Sequence, residues 1–168
     1  MSMTLDEFNQ LPAVDAVSAL YGCCHCQSWA ETVASHRPFA TLEDLFGTAQ
    51  SIWSGANEAE ILEAFSGHAR IGDIELLRSR YAGRATQEQG QVMAASEEVI
   101  KELYELNLAY EQKNGFIFIV CATGKSAEVM LSLLKERLPN SREEELRNGA
   151  GEQAKITQLR LSGLIAAQ

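Results

Sequence analysis

No apolar run in this chain approaches the roughly 20 residues that a membrane span needs, and a membrane partner is not expected. Breakers are few: 3 prolines and 12 glycines stand against 46% hydrophobic residues in 168. A chain of that size and make-up buries a real core, and one compact domain over 1–168 is the expectation. Positive charge is short as well, with 14 Lys and Arg against 23 Asp and Glu and a formal charge of −9. Binding to a phosphate backbone draws its affinity from clustered cations, so nucleic acid is excluded as a partner.

The opening MSMTLDEF carries neither a basic n-region nor an apolar h-region, and Ala166-Ala167-Gln168 is not the Ser-Lys-Leu peroxisomal address. A cytoplasmic location is expected. Cysteine is also scarce, four in all, but three crowd into CCHC at 23–26, which suits a reduced compartment. A structural zinc site would need a second ligand pair, and neither Cys121 nor the other histidines supply one. No metal is expected, and buried thiols between two helices are the reading.

What is present is repeated helix punctuation. Thr4 with Glu7, Asn57 with Glu60 and Ser141 with Glu144 have the spacing of capping boxes, and Thr41 with Asp44 repeats it with a shorter acid. Pro12 closes a first helix, helical periodicity continues over 13–21, and a helix over 29–35 ends before Arg37-Pro38 because proline disfavours the α conformation ahead of it. The longest helical signal runs over 87–113, with a fresh cap at 96–98, and Asn114-Gly115 closes it. A helix over 126–138 stops at Pro139, and the last runs to about 165. Only FIFIV, 116–120, is strand-like, and being short and continuously apolar it equally suits a buried extended linker. The fold class is therefore all-α: a single-domain bundle of roughly eight helices with at most one short extended segment near 116–121.

TGKS, 123–126, lacks the glycine that a phosphate-binding loop requires five residues before Gly124, where Ile119 stands, so it reads as a turn into the next helix. Three other groups invite chemistry. Arg160 lies one helical step from Ile156 and Leu164, which leaves it to snorkel, to pair with a buried acid or to await an anion. Glu88 falls on the stripe through Val92, Val99 and Leu103, facing the interior or serving a helix N-terminus. His68, set between Gly67 and Gly72, follows Phe65 by three residues. It is either a satisfied hydrogen-bonder at a helix end or a titratable group displayed by a turn that the glycines allow.

Five segments then occur in a specific order: RPF at 37–39, HARIGD at 68–73, EQ at 88–89, LNLAYEQKNGFIFIVCATGKS at 106–126 and LRL at 159–161. Over nearly the whole chain this set resembles the decarboxylase family that acts on 2-oxo-4-hydroxy-4-carboxy-5-ureidoimidazoline (OHCU) in urate breakdown. The resemblance implies a cofactor-free, all-helical carboxy-lyase, commonly a homodimer, that converts the small molecule OHCU to (S)-allantoin and carbon dioxide. By resemblance the catalytic residues fall on His68, Glu88 and Arg160, the last gripping the substrate. Ala69, Gln89 and the segment Phe118, Ile119, Val120, Cys121 and Ala122 fall on substrate-contacting positions.

Two positions depart from the family pattern. Ala69 replaces a usual proline, which would have fixed φ and removed an amide hydrogen, and Ala85 replaces a frequent serine. Two other readings stand beside this one: a helical interaction module in which Arg160 and Glu88 form a structural pair, and a decarboxylase of a related cyclic ureide.

Overall fold

The computed structural model describes residues 2–68 and 97–166. The expectations that fall on Ala69, on 71–84, on Ala85, Glu88 and Gln89, and on the start of the long helix lie outside the described residues. Among those described there are eight helices: α1 (Leu5–Gln10), α2 (Ala13–Tyr21), α3 (Gln27–Ser35), α4 (Leu42–Ser54), α5 (Glu58–Ser66), α6 (Glu97–Asn114), α7 (Ala127–Arg137) and α8 (Arg142–Leu164). The class is all-α, as read from the sequence. The chain forms two compact units, one of residues 1–68 and 150–168 and one of residues 69–149.

Most helix starts lie where local chemistry puts them. Reciprocal capping boxes join Thr4 to Glu7 and Asn57 to Glu60. The Ser141 hydroxyl accepts from the Glu144 amide at 3.1 Å while the Glu144 carboxylate accepts from the Ser141 amide at 3.2 Å. Thr41 and Ser126 cap α4 and α7 by accepting from the amide three residues on. Each satisfies donors that a helix N-terminus otherwise leaves bare.

In the first unit α1–α5 and the later part of α8 enclose a core that includes Phe8, Leu20, Trp29, Leu45, Leu161 and Ile165. The buried indoles do not sacrifice their polar edges, since Trp29 Nε1 donates to the Ala49 carbonyl and Trp53 Nε1 to the Ala150 carbonyl, each at 3.0 Å. Arg37 donates to the Phe8 and Leu11 carbonyls at 2.8 Å, closing the end of α1. A two-residue parallel pair, β1 (Met3–Thr4) with β2 (Ile165–Ala166), ties the chain ends together in the register Met3 to Ile165. Periodicity gave no sign of this pair, because two residues are too few to show a period.

The second unit is built from α6, α7 and the first turns of α8. α6 ends at Asn114, and Gly115 follows at φ +79°, the left-handed closure that glycine makes without penalty. Residues 116–121 are the buried linker of the two readings and not a strand, for they have no ladder partner among the described residues. Side chains occupy two of their carbonyls instead: Arg137 Nη1 donates to Ile119 and Lys125 Nζ to Cys121, each at 2.8 Å. TGKS forms the expected turn, with Gly124 at φ +77° and the Lys125 amide donating to the Ala122 carbonyl.

Candidate functional site

In the first unit the candidate site begins where α5 stops. The Gly67 amide donates back to Ala64 and the His68 amide to Phe65, so the helix unwinds over one turn and leaves the imidazole at its end. Gly67 sits at φ −79°, ψ −8°, a conformation open to any residue. Its glycine is therefore not there for turning freedom, contrary to the sequence reading. A β-carbon at this position would overlap Cβ, Cγ and Nδ1 of His25, whose ring packs under the turn. His25 is held in turn by an edge contact with Tyr21 at 4.7 Å between ring centroids.

The half-buried His68 ring meets the other wall of the unit through α8. Its Nε2 lies 2.5 Å from Oε1 of Gln153, and Gln153 Nε2 donates to Thr157 Oγ1 at 2.9 Å. Gln153 is 0% exposed. With Leu161 these residues form the inward stripe of α8 at steps of four, a helical spacing that the sequence contains. What the sequence did not announce is that two stripe positions are polar and joined to each other.

Arg160 flanks that stripe and is exposed, not aimed into the core with Ile156 and Leu164. Its Nη1 donates to the Cys23 carbonyl at 3.3 Å, and among the described residues no carboxylate pairs with it. Of the three fates open to this cation, the buried acid is thus absent among the described residues. The guanidinium is near enough to act on His68. Burial lowers the imidazole pKa from its ordinary 6.5, the Gln153 hydrogen bond opposes that, and the charges of Arg160 and His25 lower it further. The ring is held neutral at the end of α5.

Around these groups two thiols stay protonated. Burial pushes Cys23 up to about 11 against the Arg160 charge and Cys24 up to about 12 against Thr157 and Arg160, so neither is a thiolate near neutral pH. Cys23, Cys24 and Cys26 lie buried at the join of α2 and α3, as read. Among the described residues no three His, Cys, Asp or Glu side chains are grouped to hold a metal.

Phe118 to Ala122 belong to the second unit, where a buried polar cluster anchors them. Glu145, 0% exposed, accepts from Tyr110 Oη at 2.6 Å, Arg137 Nε at 2.7 Å, Asn148 Nδ2 at 2.7 Å and Asn140 Nδ2 at 2.9 Å. Burial alone would raise its pKa, but those hydrogen bonds and the Arg137 charge hold it below the usual carboxylate range. Arg137 also stacks 4.6 Å from the Phe118 ring centre while gripping the Ile119 carbonyl. His68 and Arg160 are therefore brought together in one unit, the 118–122 segment is braced in the other, and Glu88, Gln89 and Ala69 lie outside the described residues. Sequence reasoning missed His25, Gln153, Thr157, Arg137 and Glu145.

Comparison with known proteins gives a consistent result. The family described as OHCU decarboxylase matches residues 9–162. The uric acid degradation bifunctional protein TTL of Arabidopsis thaliana is 38% identical over 148 residues, covering 86% of this chain and 45% of that protein. This chain thus spans less than half the length of that relative. The 2-oxo-4-hydroxy-4-carboxy-5-ureidoimidazoline decarboxylase of Xenopus laevis is 30% identical over 147 residues, covering 83% of this chain and 81% of its own. A crystal structure of an OHCU decarboxylase in the presence of (S)-allantoin superposes with a TM-score of 0.70 at 35% identity, over 85% of this chain and 94% of that one.

Proposed function

This chain belongs to the OHCU decarboxylase family, and on that premise we propose that it converts OHCU to (S)-allantoin and carbon dioxide without a cofactor. The observation that carries the reading is the pair at the end of α5: a neutral, half-buried imidazole beside a guanidinium that has no carboxylate partner among the described residues. A cation so placed suits a small anionic substrate, and its planar fork suits a carboxylate or ureide oxygen.

The chemistry asks little of the protein beyond placement. Loss of carbon dioxide leaves a bond pair on the ring carbon that also bears the hydroxyl. That carbon adjoins a carbon–nitrogen double bond, so the pair forms a new ring double bond while the imine electrons move to nitrogen, which takes a proton. The resulting enol is then protonated on the ureido-bearing carbon as its hydroxyl proton leaves. The substrate is thus its own electron sink, the role that pyridoxal or thiamine fills in harder decarboxylations.

Arg160 orients the anion. His68, by its neutral form, accepts and returns protons at the hydroxyl and scissile carboxylate. By resemblance to the family, Glu88 serves the ureido side and helps to deliver the proton to one face, and Gln89 contacts the substrate. Protonation from one face sets the configuration of the product. The homodimer and the cytoplasmic setting belong to the same reading, and sedimentation of the purified chain as a dimer would support the first.

Freshly prepared OHCU, mixed with purified protein and followed by circular dichroism, tests the activity. Accelerated appearance of the (S)-allantoin signal is the expected result. A signal no faster than buffer would favour an interaction module, and acceleration only with another cyclic ureide would move the substrate.

A further inference from the structure

We propose that Gln153 is a positioning residue: it fixes the neutral imidazole of His68 as the Nε2–H tautomer, which leaves Nδ1 as the nitrogen that exchanges a proton with substrate. This inference rests on the proposed catalytic role of His68. The geometry that carries it is a directed chain of side chains. Gln153 Oε1 lies 2.5 Å from His68 Nε2, while Gln153 Nε2 donates to Thr157 Oγ1 at 2.9 Å. An amide oxygen only accepts, so the ring nitrogen facing it must carry the hydrogen. The Thr157 hydroxyl, one turn further along α8, accepts from the amide nitrogen and leaves the amide oxygen facing the ring. Gln153 and Thr157 are both buried, and the contact between them is shielded from water.

An amide suits this place better than a carboxylate would. A carboxylate would orient the ring equally well but would bring a charge that stabilises imidazolium. Among the described residues the charged and titratable groups around the ring are Arg160 and His25, whose charges act against imidazolium, with the protonated thiols of Cys23 and Cys24 near Arg160. Gln153 therefore directs the ring without undoing its neutrality. Among the described residues Nδ1 of His68 has no hydrogen-bond partner.

Imidazole nitrogen-15 resonances of the full chain test the proposal, with His68 assigned by its loss in His68→Asn. Near neutral pH the native protein should show a protonated Nε2 and a bare Nδ1. Gln153→Leu should abolish that preference and lower kcat at least about tenfold, as a mis-set tautomer does in other proton-transferring histidines, with KM changed far less. Gln153→Glu, nearly identical in shape, should keep the Nε2–H tautomer, restore most of kcat, and move the acidic limb of the pH profile upward.

A protonated Nδ1 in the native protein, or an unaltered tautomer in Gln153→Leu, would overturn the assignment. A Gln153→Glu protein that loses the Nε2–H signature would do the same even if the leucine variant fails to fold. A tautomer that shifts in Gln153→Leu while kcat stays native would uphold the orienting contact and instead remove His68 from the chemistry.

Discussion

The α-carbon of Gly67 rests against the imidazole of His25, so that the turn presenting His68 is seated directly on the linker between α2 and α3. Any side chain at 67 has to displace that ring. Gly67→Ala should destabilise the fold by about 1–3 kcal/mol, the usual range for overpacking, and lower activity by moving His68. Denaturant unfolding of Gly67→Ala, His25→Ala and the double variant checks it: the cost of the alanine at 67 should largely disappear when the ring is gone.

For the proposed chemistry, His68→Asn and Glu88→Gln should each reduce turnover about a hundredfold or more if they transfer protons. The assay is kcat on freshly generated OHCU, and native-like turnover in both variants would return the two residues to structural roles.

Arg160→Lys keeps the charge but loses the planar fork, so capture should weaken more than turnover. A raised KM with a smaller change in kcat is the expected pattern. An unchanged specificity constant would mean that the contact between Arg160 and Cys23 is the whole of its role.

The depressed pKa of His68 fixes a direction for pH. Between its folded value and the ordinary 6.5, the unfolded chain binds more protons than the folded one, so stability rises with pH across that window. The contribution is complete above 6.5 and is lost as pH falls toward the folded value. The unfolding free energy of the native protein should therefore drop relative to that of His68→Asn as pH is lowered through the window. The acidic limb of kcat/KM should likewise lie below 6.5.

Glu145 behaves oppositely in origin. Its folded pKa is below the ordinary 4.5, so its contribution is present above that value and is lost as pH falls through the folded pKa. Arg137→Met, which strands the buried carboxylate and frees the Ile119 carbonyl, should cost about 3–5 kcal/mol in chemical denaturation. Glu145→Gln should cost less and make the remaining stability less sensitive to acid.

Much of this molecule is written locally. The boxes at Thr4, Asn57 and Ser141, the caps at Thr41 and Ser126, the closure at Gly115 and the turn at Gly124 each join atoms within a few residues, so spacing alone fixes them. That is why the helix starts and the all-α class were legible. His68 and Arg160 were visible for a related reason, as charged or titratable groups at a helix end and beside an apolar stripe.

Residue spacing thus sets where helices start and stop and which groups could do chemistry. Which groups meet is set by packing. Gln153 reaches His68 across 85 positions, His25 fills the space that Gly67 leaves, and Arg137 takes the carbonyl of Ile119. Each pairing depends on which helix faces are buried against each other. A helical period says that Gln153, Thr157 and Leu161 share a face, but only packing says that an imidazole waits opposite the first of them.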